Sequence, residues 1–388
     1  MKKVLILSFS DLSTDPRVNR QISLFSKVYK VYAAGYNCPK LDDVTFISFI
    51  PKFNSVFKKI GKLLKLISQQ FHSVYWDSRI VNHIERIKSV LGTSSLDLIY
   101  ANDISSLPLA LKLSKIYQCK IVFDAHEYSP REWEDKLIWR LVYQPYITYL
   151  CKTYIPQADL VITVGQRIAD EYQNQFGIEK VHVILNAPPQ HKELKPSNID
   201  PSNIRLIHHG AAIKSRKLEN MIEIMDNLDD RYSLDLMLVP SDVKYLNRLK
   251  KKAKSKNVTF IDPVPMEDIT EKINEYDIGV YILDESNNFN NQNAMPNKFF
   301  EFIQAALAIA IAPSPEMKIL VEKYGLGVVA KSFDSKSLAK KINELTVSKL
   351  KQFKSNSKLA AEILNAETEG EKLLKLTESL LDIKPCVA

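Results

Sequence analysis

This sequence of 388 residues lacks several common signatures. No G-x-G-x-x-G follows its first apolar run, which argues against a dinucleotide-dependent dehydrogenase. Its four cysteines, Cys38, Cys119, Cys151 and Cys386, are far apart and form no metal pattern. They read as reduced thiols of a cytoplasmic protein, with Cys119 and Cys151 in or near the core. No window approaches 18 uninterrupted apolar residues, so no transmembrane helix is expected. The start, MKKVLILSFSD, imitates a signal peptide. Its apolar run covers only residues 4–7, and no small-residue cleavage site follows, so it reads as a first strand. Histidine is scarce, seven in all, so each one in a loop draws notice.

What is present is an ordinary globular composition, 45% hydrophobic and 25% charged, with a net charge of +8. The basic balance suits an anionic partner: nucleic acid, an acidic membrane surface or a phosphorylated ligand. The length exceeds one ordinary core, so two domains are expected. Apolar runs at 4–7, 31–34, 45–49, 96–101, 121–123, 160–164 and 181–185 alternate with helical patterns. A second alternation starts at Ile204. Strands alternating with helices imply parallel βαβ units in doubly wound sheets, which bind ligands at the carboxyl ends of their strands. Residues 188–203 hold four prolines and little hydrophobicity, the best linker in the chain. The expected layout is thus a domain at 1–187, a linker at 188–203, a domain at 204–363 and a returning helix at 364–388.

The organising stretch is NAMPNKFFEFIQAALAIAIAPSP, residues 293–315. Pro296 suits the first position of a helix, and the N–H groups of residues 297–299 would then point outward at a phosphate. Phe299, Phe302, Ile303 and Ala306 form a buried stripe, whereas Lys298 and Glu301 share a face. Residues 307–312 read as a buried strand. Elsewhere, Gly210 at a strand end permits close backbone approach, and Arg216 follows it before a stripe of Leu218, Met221, Ile222 and Met225. Asn102-Asp103 and Asp124-Ala125-His126-Glu127 stand at strand ends in the first half. Asp15-Pro16-Arg17 opens a helix, with Arg17 either solvated or near the site. Residues 53–76 interleave lysines with apolar residues and contain no acid, as a helix lying on an anionic membrane would. Such a helix could equally pack one face inward. Pro145 is expected to kink or split the aromatic-rich helix that follows Trp133, and Gly370 to interrupt the last helix.

MPNKFFEFIQAALAI resembles the donor-site helix of bacterial group 1 glycosyltransferases of GT-B fold, which commonly reads PNKxFEYxAxGxP. DPRV, DAHE, the "vitv … vi.N" stretch, the Gly210–Arg216 spacing and VTFIDPVP resemble further segments of that family. The resemblance implies two Rossmann-like, doubly wound domains facing a central cleft. It also implies a retaining transfer from a nucleotide sugar, UDP- or GDP-linked, to a glycan or lipid-linked acceptor. Arg216 and Lys298 would take the diphosphate, Glu301 the ribose, and His126 the transferred sugar. Asn293 stands where the family has the first glutamate of its E-x7-E pattern. Gly210 and Asn297 would line the donor site, Pro263 and Val264 would lie against the base, and the Asn-rich loop 284–294 would shape the sugar pocket. Arg17, Asp103 and Glu127 are the acceptor-side candidates. Ala187, Lys217 and Asp262 replace glycines of the pattern, and Gly165 replaces its serine. No cofactor or metal is expected, since no Asp-x-Asp stands at a strand end as it would in a metal-dependent GT-A enzyme. A sugar-nucleotide epimerase and a non-catalytic partner subunit share the fold. A nucleic-acid binder lacks any supporting motif.

Overall fold

The computed structural model describes residues 1–39, 41, 43–50, 56–254, 257–282 and 288–382. Cys386, the start of the 53–76 stretch and most of the first half of loop 284–294 lie outside them. The chain divides into two compact units. The first comprises residues 1–184, 288–290 and 370–388; the second comprises 185–287 and 291–369.

The first unit is built on seven parallel strands: β1 (Lys3–Asp11), β2 (Lys30–Tyr36), β3 (Val44–Ser48), β4 (Leu98–Asn102), β5 (Lys120–Ala125), β6 (Leu160–Thr163) and β7 (Val181–Val183). Their order is β3-β2-β1-β4-β5-β6-β7, so the winding reverses between β1 and β4. Both faces of the sheet are covered. Leu5, Leu7, Ile99 and Ala101 point into one core, whereas Val4, Ile6, Leu98 and Tyr100 point into the other. This two-sided burial explains why the strands read as unbroken apolar runs.

The second unit carries six parallel strands: β8 (Ile204–Ala211), β9 (Tyr232–Val239), β10 (Val258–Ile261), β11 (Ile278–Tyr281), β12 (Ala308–Ile311) and β13 (Gly327–Val329). Their order, β10-β9-β8-β11-β12-β13, places its reversal between β8 and β11. Gly279 on β11 lets Phe302 lie directly over the strand; a Cβ there would fall 2.4 Å from the ring.

Pro145 does split the aromatic segment, into helices Leu137–Val142 and Gln144–Tyr154. Gly370 does not interrupt the last helix, which runs from Ala366 to Asp382. It sits in the helix because a Cβ there would press on Leu24 at 3.1 Å. The segment after Arg216 is also shorter than its pattern suggests. A 3-10 turn, Lys214–Arg216, precedes a helix of only six residues, Glu219–Ile224, and Met225 is half-buried. Cys151 is buried, Cys119 half-buried and Cys38 exposed, all as free thiols. Among the described residues, no helix is long and apolar enough to cross a membrane.

Candidate functional site

In the second unit, the helix Asn297–Gln304 begins one residue later than its sequence suggests. Pro296 is its cap, with φ −73° and ψ 149°. The Phe299 N–H is not open to a ligand, because it donates to the Pro296 carbonyl at 3.0 Å. The helix ends in a Schellman motif: Ala306 N–H donates to Ile303 O, and Leu307 N–H donates to Phe302 O, both at 3.0 Å. Ala306 supplies the left-handed residue, φ +55°, at the place where the glycosyltransferase pattern has glycine.

No face of this helix is free. Lys298 and Glu301 are each only 7% exposed, alongside the fully buried Phe299, Phe302 and Ile303. Their polar ends gather at the carboxyl ends of β8 and β11, the reversal point of the sheet. Gly210, near the end of β8, adopts φ +127°, and a Cβ there would meet Lys298 Nζ at 2.9 Å and Arg216 Nη1 at 3.8 Å. Two cations therefore converge on one bare stretch of backbone. Among the described residues, no carboxylate lies within ion-pair distance of either cation. Burial, with the Arg216 guanidinium nearby, lowers the Lys298 ammonium to about 7.

Two histidines from β8 complete this cluster. His208 Nδ1 lies 2.9 Å from the Val280 carbonyl, so this nitrogen carries the proton. Its Nε2 then presents a lone pair 3.4 Å from Lys298 Nζ. The Tyr281 ring stacks on His208 at 5.9 Å and lies 4.9 Å from the Lys298 ammonium. His209 Nε2 is 3.3 Å from Glu301 Oε2. Burial, followed by Lys298, holds His208 well below its usual range and His209 at about 3, so both are neutral near pH 7. The sequence carries a signal for them: two adjacent histidines follow the apolar Leu206-Ile207 in the buried middle of the strand.

Of the remaining donor-side candidates, Asn293 is buried and Asn297 half-buried at the start of the helix. Val264 is half-buried and Pro263 exposed in the loop that leaves β10. Lys217, in the family's glycine position, takes the left-handed conformation that glycine would, φ +44°. Gly165, in the serine position, caps the helix Gln166–Phe176 without a side-chain hydrogen bond.

In the first unit, Arg17 is neither solvated nor available to a ligand. Its Nε and Nη2 donate to Asp124 at 2.8 and 2.7 Å, and its Nη1 donates to the Ile184 carbonyl at 3.1 Å. Asp124 is fully buried at the end of β5, and Gln21 also donates to it. Arg17 therefore ties the helix Pro16–Ser26 to β5 rather than serving as an acceptor contact.

His126 follows β5 and is held between two residues from the end of β4. Its Nε2 lies 3.0 Å from Asn102 Oδ1, and its Nδ1 lies 3.4 Å from Asp103 Oδ2. Asp103 has φ +62°, a conformation that turns its carboxylate back toward His126. Asp103 thus orients the imidazole. Burial, then the Glu132 and Asp103 carboxylates, raises the neighbouring Glu127 carboxyl. Beyond it, Tyr128 exchanges two backbone hydrogen bonds with the Asn290 side chain, at 2.7 and 3.0 Å. Phe289 packs edge-on to Tyr128, and the Arg131 guanidinium lies 4.9 Å from the Phe289 ring centroid. Part of the Asn-rich loop is accordingly a component of the first unit, next to His126.

Residues 42–187 match the family model described as Glycosyltransferase Family 4. No curated protein matches the chain in sequence. Among solved structures, HepE from Anabaena, crystallised in complex with UDP, is 16% identical, with a TM-score of 0.67 over 98% of this chain and 100% of that one. Sucrose-phosphate synthase from Thermosynechococcus elongatus is 12% identical, with a TM-score of 0.71 over 99% and 100%. A glycosyltransferase from Rickettsia africae is 13% identical, with a TM-score of 0.70 over 99% of both chains. The two doubly wound sheets and the likeness over nearly the full length agree: the chain has the GT-B fold, and its residues 42–187 are similar to Glycosyltransferase Family 4.

Proposed function

We propose that the protein transfers a sugar from a nucleotide-sugar donor, with retention of configuration and without a metal, to a glycan or lipid-linked acceptor. The observation that carries this reading is the convergence of Arg216 and Lys298 on Gly210, a site for two negative charges beside bare backbone. HepE structures with UDP and with UDP-glucose support a nucleotide-sugar donor. In this reading the two cations stabilise the departing diphosphate, a role otherwise filled by a divalent ion. Glu301 binds the ribose; His126 and Asn293 bind the transferred sugar. The bond between the anomeric carbon and the phosphate oxygen breaks as the acceptor oxygen bonds to that carbon on the same face. The acceptor proton passes to the departing phosphate. Such a reaction fits polysaccharide or glycolipid assembly at the inner face of a membrane.

The test is a thermal-shift series against UDP, GDP, ADP and their sugars, with and without EDTA. A ligand at about 100 times its dissociation constant adds about 2.7 kcal/mol of stability. A shift with one nucleotide, unchanged by EDTA and reduced in Glu301→Gln, is expected. No shift with any of them would refute the donor site and favour a non-catalytic role. A shift that EDTA abolishes would refute metal independence.

A further inference from the structure

The lysine-rich helix Val56–Ile67 turns its apolar stripe outward. Ile60, Leu63, Leu64 and Ile67 repeat at i, i+3, i+4, i+7, the spacing of a buried face. Yet they are 51, 39, 61 and 63% exposed, whereas Leu66 is buried. This helix packs against a second one, Leu137–Val142, with the same property. There Leu137, Ile138 and Leu141 are 58, 73 and 67% exposed. These two short stretches hold seven of the twenty exposed large hydrophobic residues among the described ones, so the apolar surface is concentrated rather than scattered.

The charge around this surface selects its partner. Lys59, Lys62 and Lys65 intersperse the stripe of the first helix, and Lys136 and Arg140 stand on or beside the second. All five are exposed, and residues 52–76 contain no acid. A protein partner that filled the apolar stripe would leave these cations at its rim. A bilayer with anionic headgroups takes both at once: apolar side chains enter the acyl boundary and the lysines reach the phosphates. The first helix follows β3 and the second follows β5, the strand just before His126.

We propose that these two helices together form a docking surface for an anionic lipid bilayer. The proposal rests on the reading that the acceptor is lipid-linked, and adds to it a second helix and a defined apolar ridge. Neither ridge lies in the donor cluster, so its substitution leaves the nucleotide site intact.

The test is co-sedimentation of the full chain with vesicles of phosphatidylcholine alone or mixed with phosphatidylglycerol, at low and high salt. Binding to the mixed vesicles only, weakened by salt, is expected. The double variant Ile138→Glu, Leu141→Glu should lower the bound fraction at least tenfold, and Lys59→Glu, Lys65→Glu should do the same. Both variants should keep the thermal shift with nucleotide, which separates loss of the membrane surface from failure of the donor site. Equal sedimentation of parent and variants, equal binding to neutral vesicles, or no binding at all would overturn the proposal. So would a concentration-dependent dimer that the Ile138→Glu, Leu141→Glu variant dissolves, because the ridge would then be covered by a second copy of this chain.

Discussion

The proposed role of Lys298 at the donor diphosphate predicts that donor binding depends on pH in a range where a surface lysine would give no such dependence. Its ammonium sits at about 7 because burial and Arg216 both disfavour the charge. A bound diphosphate restores that charge, so binding should take up a proton above pH 7. The protonated fraction falls from one half at pH 7 to about one hundredth at pH 9, which weakens UDP binding about 50-fold, or ~2.3 kcal/mol. The groups around Lys298 do not titrate in this window. His208 and His209 are held neutral, and Tyr281 is pushed well above it. A phosphate monoester titrates near 6, so the ligand itself is nearly fully ionised above pH 7. The assay is calorimetric titration of UDP, or of whichever nucleotide gives the thermal shift, from pH 7 to 9 in two buffers of different ionisation enthalpy. Lys298→Arg keeps the charge and should flatten the profile. The ligand-free protein should behave in the opposite sense. Folded Lys298 binds its proton less tightly than the unfolded lysine, so this group makes stability rise with pH between about 7 and 10.5. A wild-type dissociation constant that varies less than threefold, or a Lys298→Arg profile as steep as wild type, would refute the reasoning.

Four further substitutions probe the structure around the site. Asp124→Asn leaves the Arg17 guanidinium buried without its counter-charge and should cost about 3–5 kcal/mol in urea unfolding. Gly210→Ala places a methyl group against Lys298 Nζ and strains φ, so it should abolish the nucleotide thermal shift while the sheet remains folded by circular dichroism. Gly279→Ala forces Phe302 off β11 and should destabilise by about 1–3 kcal/mol or more in the same unfolding assay. Lys217→Gly relieves a left-handed conformation and should raise stability by about 1 kcal/mol, seen as a higher melting temperature.

The strands were legible because both faces of each sheet are buried, which leaves continuous apolar runs to read. Gly210, Arg216 and Lys298 were legible through spacing that resembles a family pattern, and they do converge. What local pattern could not convey was where charged side chains spend their hydrogen bonds. Arg17 looks the same in sequence whether it faces a ligand or Asp124, which lies 107 positions away. The helix at 297 reads as amphipathic, yet Lys298 and Glu301 are buried too, because β8 supplies neighbours for both. His208 and His209 are those neighbours, and their meaning appears only once the strand is placed beside the helix. Gly370 reads as a helix breaker by propensity; packing against Leu24 overrides that preference.

The last helix gives the first unit a delayed completion. Leu373, Thr377 and Leu380 sit in the core on one face of its sheet, and Thr377 Oγ1 lies 2.7 Å from the buried Tyr100 hydroxyl. The ribosome finishes residue 184 long before it makes residue 370. At 5–20 residues per second, that interval lasts roughly 10–40 s. Through it, Val4, Ile6, Leu98 and Tyr100 lack part of their cover, whereas the second unit can close first. A nascent chain stalled before residue 370 should therefore be the form that chaperones hold and proteases attack.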